Sequence, residues 1–287
     1  MSSRRAQPAR KDAAQRGKAV ARKPVAGTPR WVAPTAVLAG IALLIVVFLI
    51  YRWYTTPLPP PPPSQDTTAQ VLQILENIPK SDLDAVGQGT ANNLIKPVSG
   101  SALVGPGGKP EVFYLGAEYC PYCAAERWPM VIALSRFGTF SGLTLTTSSS
   151  TDIYPNTVTL TFRSAKYTSQ YIEFVAVETT DRDQKPLQSP TTEQQQLVQK
   201  YDSAGSIPFV DFANKYAFDG AMYKPDVISG MSWLSAAESL QSPDSAQAKA
   251  ILGSANLITA AICKSIGDQP ADVCSSTTIQ NLEKTLK

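Results

Sequence analysis

The stretch EVFYLGAEYCPYCAAERWPMVIALSRF, residues 111–137, changes its pattern halfway. Its first seven residues, EVFYLGA, carry the aromatic and branched side chains of a buried strand. From Pro121 onward the residues are good helix formers, and a proline in the first helical turn loses no hydrogen bond. At the junction stand two cysteines three apart, Cys120 and Cys123, around Pro121 and Tyr122. This order puts Cys120 at the helix N-cap, where unpaired backbone N–H groups and the positive end of the helix dipole lower a thiol's pKa. Cys123, one turn further in, is expected to be buried and less reactive. Glu118 and Glu126 would oppose a thiolate if close, which predicts a moderate depression. Pro129 removes a backbone donor and predicts a kink in the helix.

A second segment bears on the same place. In AGSIPFVDFANKYAF, residues 204–218, Pro208 opens the apolar run FVDF. The residue before a proline is held extended. A cis Ile207–Pro208 bond would bring the Ile207 backbone beside the cysteines and offer it to an extended peptide as a strand partner.

The chain has four cysteines in 287 residues. Cys263 and Cys274 bracket the loop KSIGDQPADV between two helical stretches. In an oxidising compartment such a pair reads as a structural disulfide. Closing a loop of this size contributes on the order of 2–3 kcal/mol in the chain-entropy model.

These motifs resemble the thioredoxin superfamily over 111–137 and 204–219. The Pro-Tyr dipeptide between the cysteines is like that of glutaredoxins, and Cys-Pro-x-Cys is like the periplasmic disulfide oxidases. Over most of 65–287 the chain is similar to a family of membrane-anchored thioredoxin-like proteins described as a domain of unknown function. The resemblance implies that Cys120 attacks, Cys123 resolves and Pro208 is a cis-proline. Substrate would lie along Tyr119, Pro121, Tyr122, Ile207 and Pro208. Two departures leave the redox direction open: the chain has no histidine, and Tyr119 stands where thioredoxins carry Trp.

The N-terminal region speaks to location. Residues 1–30 hold nine Lys or Arg against one acid, Asp12. That composition cannot build a core and predicts a disordered basic tail. Val32 to Tyr51 then runs without a charge, about the ~20 residues a helix needs to cross ~30 Å of hydrocarbon. With aromatic residues at its ends, we read 31–54 as a transmembrane helix whose basic side stays cytoplasmic. A cleaved signal peptide fits less well, because the run is too long and no small-x-small site follows. The proline run in 55–66 predicts an extended spacer. After Arg52 there are 16 basic and 22 acidic residues, a balance of −6. The outer part therefore carries no nucleic-acid footprint.

The expected fold class is α/β: one transmembrane helix, then a thioredoxin-like domain over 67–287. Between the two motif segments, 138–203 is read as an insertion, with strands in LTLTTSSSTD, TVTLTFR and QYIEFVAVE and a Thr-capped helix in TTEQQQLVQKYD. No chemical role follows for Ser148–Ser150, Asp152, Tyr154 or Pro155. The tail from Ser232 is helical in pattern, broken at Pro243 and Pro270.

The function expected is thiol–disulfide exchange with extracytoplasmic protein thiols and disulfides, without metal or organic cofactor. The partners implied are those proteins, a membrane redox protein that recycles the pair, and the lipid bilayer. Four other readings of the cysteines compete with this one. A structural clip needs no strand-to-helix junction. Zinc binding by all four meets an unusual ligand spacing. Copper handling suits soft thiolates but meets only four methionines. A non-catalytic peptide-binding module would need no reactive Cys120.

Overall fold

The computed structural model describes residues 32–55 and 61–286. The basic tail and much of the proline run lie outside the described residues. The chain divides into two compact units, up to Thr55 and from Thr56 onward.

The first unit is helix α1 (Val32–Thr55). Its 24 residues rise about 36 Å at ~1.5 Å per residue. From Val37 to Thr55 it is apolar and none of it is buried. Large side chains are exposed along it, among them Leu38, Leu44 and Phe48. A helix apolar all round and left uncovered is a candidate membrane span.

The second unit is mixed α/β. In chain order it runs α2 (Gln65–Glu76), α3 (Lys80–Val86), β1 (Lys96–Pro97), β2 (Glu111–Gly116), α4 (Pro121–Ser135), β3 (Gly138–Ser141), β4 (Thr144–Thr147), β5 (Val158–Thr161), β6 (Lys166–Ser169) and β7 (Glu173–Glu178). There follow α5 (Thr192–Tyr201), β8 (Phe209–Phe212), β9 (Tyr216–Asp219), α6 (Trp233–Ser239), α7 (Ala246–Ile266), α8 (Ala271–Cys274) and α9 (Thr277–Glu283). Thr191 caps α5 through a reciprocal pair with Gln194, as its side-chain chemistry favours.

The main sheet has the order β1-β9-β8-β2-β7. Strands β2 and β7 pair in parallel from Glu111↔Glu173 to Gly116↔Glu178. Strands β8, β9 and β1 continue the sheet antiparallel. Central β2 is buried nearly throughout, because both faces of the sheet are covered. Val112 and Tyr114 join the larger core with Trp128, Phe212 and Ile258. The alternate residue Phe113 packs with Val177, Val198 and Phe209 on the other face. Helix α4 lies against α7, which is long and apolar but mostly buried as the core helix.

Two sequence expectations change here, and two helices are added. The region 138–203 is not one insertion: β3–β6 and β4–β5 are two nested antiparallel pairs, whereas β7 is a strand of the main sheet and α5 covers its second face. The spacer ends earlier than 66, since Ser64 already caps α2 and accepts a bond from the Thr67 N–H at 3.0 Å. Helices α2 and α3 had no expectation from the sequence pattern; α2 lies against α4 and α6, and α3 is tied to α7. Asn256 donates to the carbonyls of Leu83 at 2.7 Å and Gly87 at 2.8 Å. A Cβ at Gly253 would collide with the Gln88 carbonyl, so only glycine lets this turn approach.

Candidate functional site

Strand β2 ends at Gly116, and the turn through Ala117 delivers Cys120 to the N-cap of α4 in an extended conformation, φ −73° and ψ 121°. Pro121 occupies the first helical position. The Cys120 sulfur accepts the Cys123 backbone N–H at 3.2 Å. Its own N–H donates to the Ala117 carbonyl at 3.3 Å. Cys120 keeps 6 % exposure and Cys123 none. Both are unbridged thiols.

Register brings the second segment here. Strand β8 pairs antiparallel with β2 up to Leu115↔Phe209. Two residues further along both chains, Ile207 must face the turn at Ala117. The Cys120 sulfur lies 3.8 Å from the Ile207 carbonyl oxygen, and the Ile207–Pro208 bond is cis. Tyr119, Cys120, Pro121, Tyr122, Cys123, Ile207 and Pro208 thus gather at one edge of the sheet.

The two thiols are pushed apart in acidity. The hydrogen bond from the Cys123 thiol holds the Cys120 thiol below its ordinary pKa, helped by the Cys123 and Tyr122 N–H groups and the Arg127 charge, against the cost of burial. Burial raises Cys123 well above its ordinary value, and the Cys120 sulfur beside it adds to this. The two carboxylates expected to oppose the thiolate are occupied elsewhere. Glu118 accepts the Thr161 hydroxyl at 2.6 Å. Glu126 accepts the Met222 N–H at 3.0 Å, and burial pushes its pKa to about 8.

Two features of the site had escaped the sequence reading. The first is Arg127, fully buried one turn beyond Cys123 on α4. Its Nε and Nη2 bind the two oxygens of buried Glu178 at 2.8 and 2.7 Å. Nη2 also donates to the Ala117 carbonyl at 2.8 Å. The only advance signal was its i+4 spacing from Cys123.

The second is the β4–β5 loop, which gives Ser148–Ser150, Asp152, Tyr154 and Pro155 a place. The Ser149 N–H donates to the Tyr119 carbonyl at 2.9 Å. Ser148 Oγ accepts the Thr157 N–H at 2.9 Å and donates to the Tyr154 carbonyl at 3.2 Å, closing the loop on itself. Tyr154 packs edge-on against Tyr122. Ile153 at the loop tip is 71 % exposed and Tyr122 37 %. Apart from α1, only Val104 joins them as an exposed large apolar side chain among the described residues.

The other cysteines lie elsewhere. Cys263 and Cys274 form a disulfide joining α7 to α8, with their Cα atoms 5.6 Å apart. Among the described residues no three Cys, Asp or Glu side chains form a group able to hold a metal ion.

No curated protein and no solved structure matches this chain. Residues 98–264, which include the thiol pair, the β4–β5 loop and the Ile207–Pro208 turn, match the family described as Domain of unknown function (DUF929). With more than half of its length covered, the chain belongs to that family.

Proposed function

We propose that the protein is a membrane-anchored thiol–disulfide oxidoreductase. The reading rests on one observation: Cys120 has its sulfur at a helix N-cap, bonded by the Cys123 N–H at 3.2 Å and 3.8 Å from the Ile207 carbonyl. A thiolate formed there is stabilised by the N–H groups and dipole of α4. Its partner Cys123, buried and protonated, is held for the second step. The parallel β2/β7 pair, the β8/β9 hairpin opened by cis-Pro208 and helix α4 after the thiol pair support a thioredoxin-like reading of the fold.

In the reducing direction, the Cys120 thiolate attacks one sulfur of a substrate disulfide. A Cys120–substrate bond forms, the substrate's S–S bond breaks and its other sulfur leaves as a thiolate. That thiolate takes up the proton that Cys123 loses. Cys123 then attacks the Cys120 sulfur and expels the second substrate sulfur as a thiolate, which takes from solvent the proton that Cys120 released on forming its thiolate. The substrate gains two electrons and the pair is left as a disulfide. The reverse sequence oxidises a substrate dithiol. A dithiol or disulfide partner in the membrane recycles the pair.

An extended peptide can lie beside Ile207, with Tyr119 and Tyr122 across the sulfur. With α1 as anchor and the basic tail held in the cytoplasm, this chemistry takes place outside it, on proteins within reach of the membrane.

The test is a redox titration of the full-length protein in detergent with dithiothreitol and its oxidised form, followed by peptide mass after alkylation. We expect one reversible two-electron transition linking Cys120 to Cys123. A pair that never forms this disulfide, or forms it irreversibly, would overturn the proposal.

A further inference from the structure

We propose that Arg127, with Glu178 as its counter-charge, is a positioning residue for thiol exchange. It fixes the turn that presents Cys120 and supplies the permanent positive charge beneath the Cys120 thiolate. The inference rests on the oxidoreductase reading above and deepens it.

The geometry begins at Ala117. Its carbonyl accepts both the Cys120 N–H at 3.3 Å and Arg127 Nη2 at 2.8 Å. The same guanidinium therefore holds the backbone group that orients Cys120. Its planar fork is filled on one edge by Glu178, which also ties α4 to β7. Strand β7 is the parallel neighbour of β2, pairing Glu178 with Gly116 immediately before the turn. The clamp thus spans the helix, the turn and the adjacent strand.

Its charge is balanced at close range by Glu178. Arg127 and Glu178 are both fully buried, so water screens them weakly. Arg127 Nη1 and the hydroxyl of Tyr114, whose ring lies 5.9 Å from the guanidinium, are buried with no partner among the described residues. Two such groups left unsatisfied together cost stability. A role in charge placement explains a buried arginine better than stability does, since replacing a buried ion pair by apolar residues is often neutral or stabilising.

The other titratable groups near Cys120 are Cys123, Tyr114, Tyr119 and Tyr122, with Asp152 facing the last two. None of these carries a positive charge. The guanidinium helps lower the Cys120 pKa and opposes the rise that burial gives Cys123. It can therefore support negative charge on Cys120 before attack and on Cys123 as the mixed disulfide resolves.

The test is the pH dependence of Cys120 alkylation in full-length protein, with folding followed by circular dichroism. Arg127→Met/Glu178→Met removes both charges and should raise the Cys120 pKa, slowing alkylation several-fold at pH 7. Glu178→Gln leaves the cation unbalanced and should lower it. Arg127→Lys keeps the charge and should stay near wild type in pKa while losing the fork on Glu178 and the Nη2 bond to Ala117. A merely structural clamp would not shift the pKa in opposite directions. A folded double variant with an unchanged Cys120 pKa overturns the proposal. Should that variant not fold, Glu178→Gln decides alone, and an unchanged or raised pKa overturns it. A wild-type protein whose Cys120 titrates low but exchanges with no disulfide would instead remove the oxidoreductase reading.

Discussion

The ring of Tyr154 meets that of Tyr122 edge-on, with centroids 5.9 Å apart and planes at 87°. This pair docks the β4–β5 loop onto Tyr122, one of the two residues between the cysteines. It builds a wall beside Cys120 that ends in the exposed Ile153.

A wall of this kind should read the substrate without touching the sulfur chemistry. Edge-to-face aromatic pairs contribute ~0.5–1.5 kcal/mol beyond their buried area. Tyr154→Ala should therefore raise KM for a protein disulfide roughly 2- to 10-fold by that range, and Ile153→Asp should raise it in the same direction. Their reaction with dithiothreitol should be unchanged. Steady-state kinetics with both substrates separates the two, and equal losses would point to a damaged site.

The acidity of the thiols gives a pH profile. Cys120, held below its ordinary pKa, needs to lose its proton before it reacts. Its alkylation should rise with pH to a midpoint below the ~8.5 of a free cysteine. In Cys120→Ser, Cys123 should resist alkylation across the same range, since burial holds it protonated. Rapid labelling of Cys123 instead would reverse the two roles.

Stability should also depend on pH, through buried carboxyl groups away from the sulfur. Burial raises Glu126 to about 8 and Asp211 to about 7. A group with a raised folded pKa favours the fold fully at pH below its unfolded value. That contribution is lost as pH climbs through the folded value. Between about pH 5 and 7 each group should cost roughly 1.4 kcal/mol per pH unit. The melting temperature should thus be lower at pH 8 than at pH 5, and Glu126→Gln should shrink the difference. A melting temperature that rises with pH in wild type would contradict this.

The disulfide between Cys263 and Cys274 is buried and joins consecutive helices. Replacing both with Ala should cost about 2–3 kcal/mol from loop closure alone. At ~2–4 °C per kcal/mol for a unit of this size, the melting temperature should fall by roughly 4–12 °C. Calorimetry reads that loss, and the alkylation profile of Cys120 should not move.

The strand-to-helix junction at Cys120 was legible because local rules fix it. Branched and aromatic residues precede it, and Pro121 suits the first turn of the helix formers that follow it. The approach of Ile207 was legible as far as Pro208 restrains its neighbour, while the pairing that brings it there, Leu115 with Phe209, is long-range. Strand β7 looked like part of an insertion because a parallel partner can follow its mate at any distance along the chain. Arg127 was unreadable for a similar reason. Its partner Glu178 lies 51 residues away, and a charged residue on a helix ordinarily faces solvent. The β4–β5 loop carries small polar residues whose bonds are to backbone groups, so its pattern gives no hint of what it docks against.

The most direct test is to trap the mixed disulfide. Full-length Cys123→Ser, incubated with a disulfide-bonded reporter protein, should accumulate a covalent adduct that dithiothreitol releases. Peptide mass mapping should place the bond at Cys120. No adduct, or an adduct that forms only in Cys120→Ser, would contradict the assignment of this site to thiol–disulfide exchange.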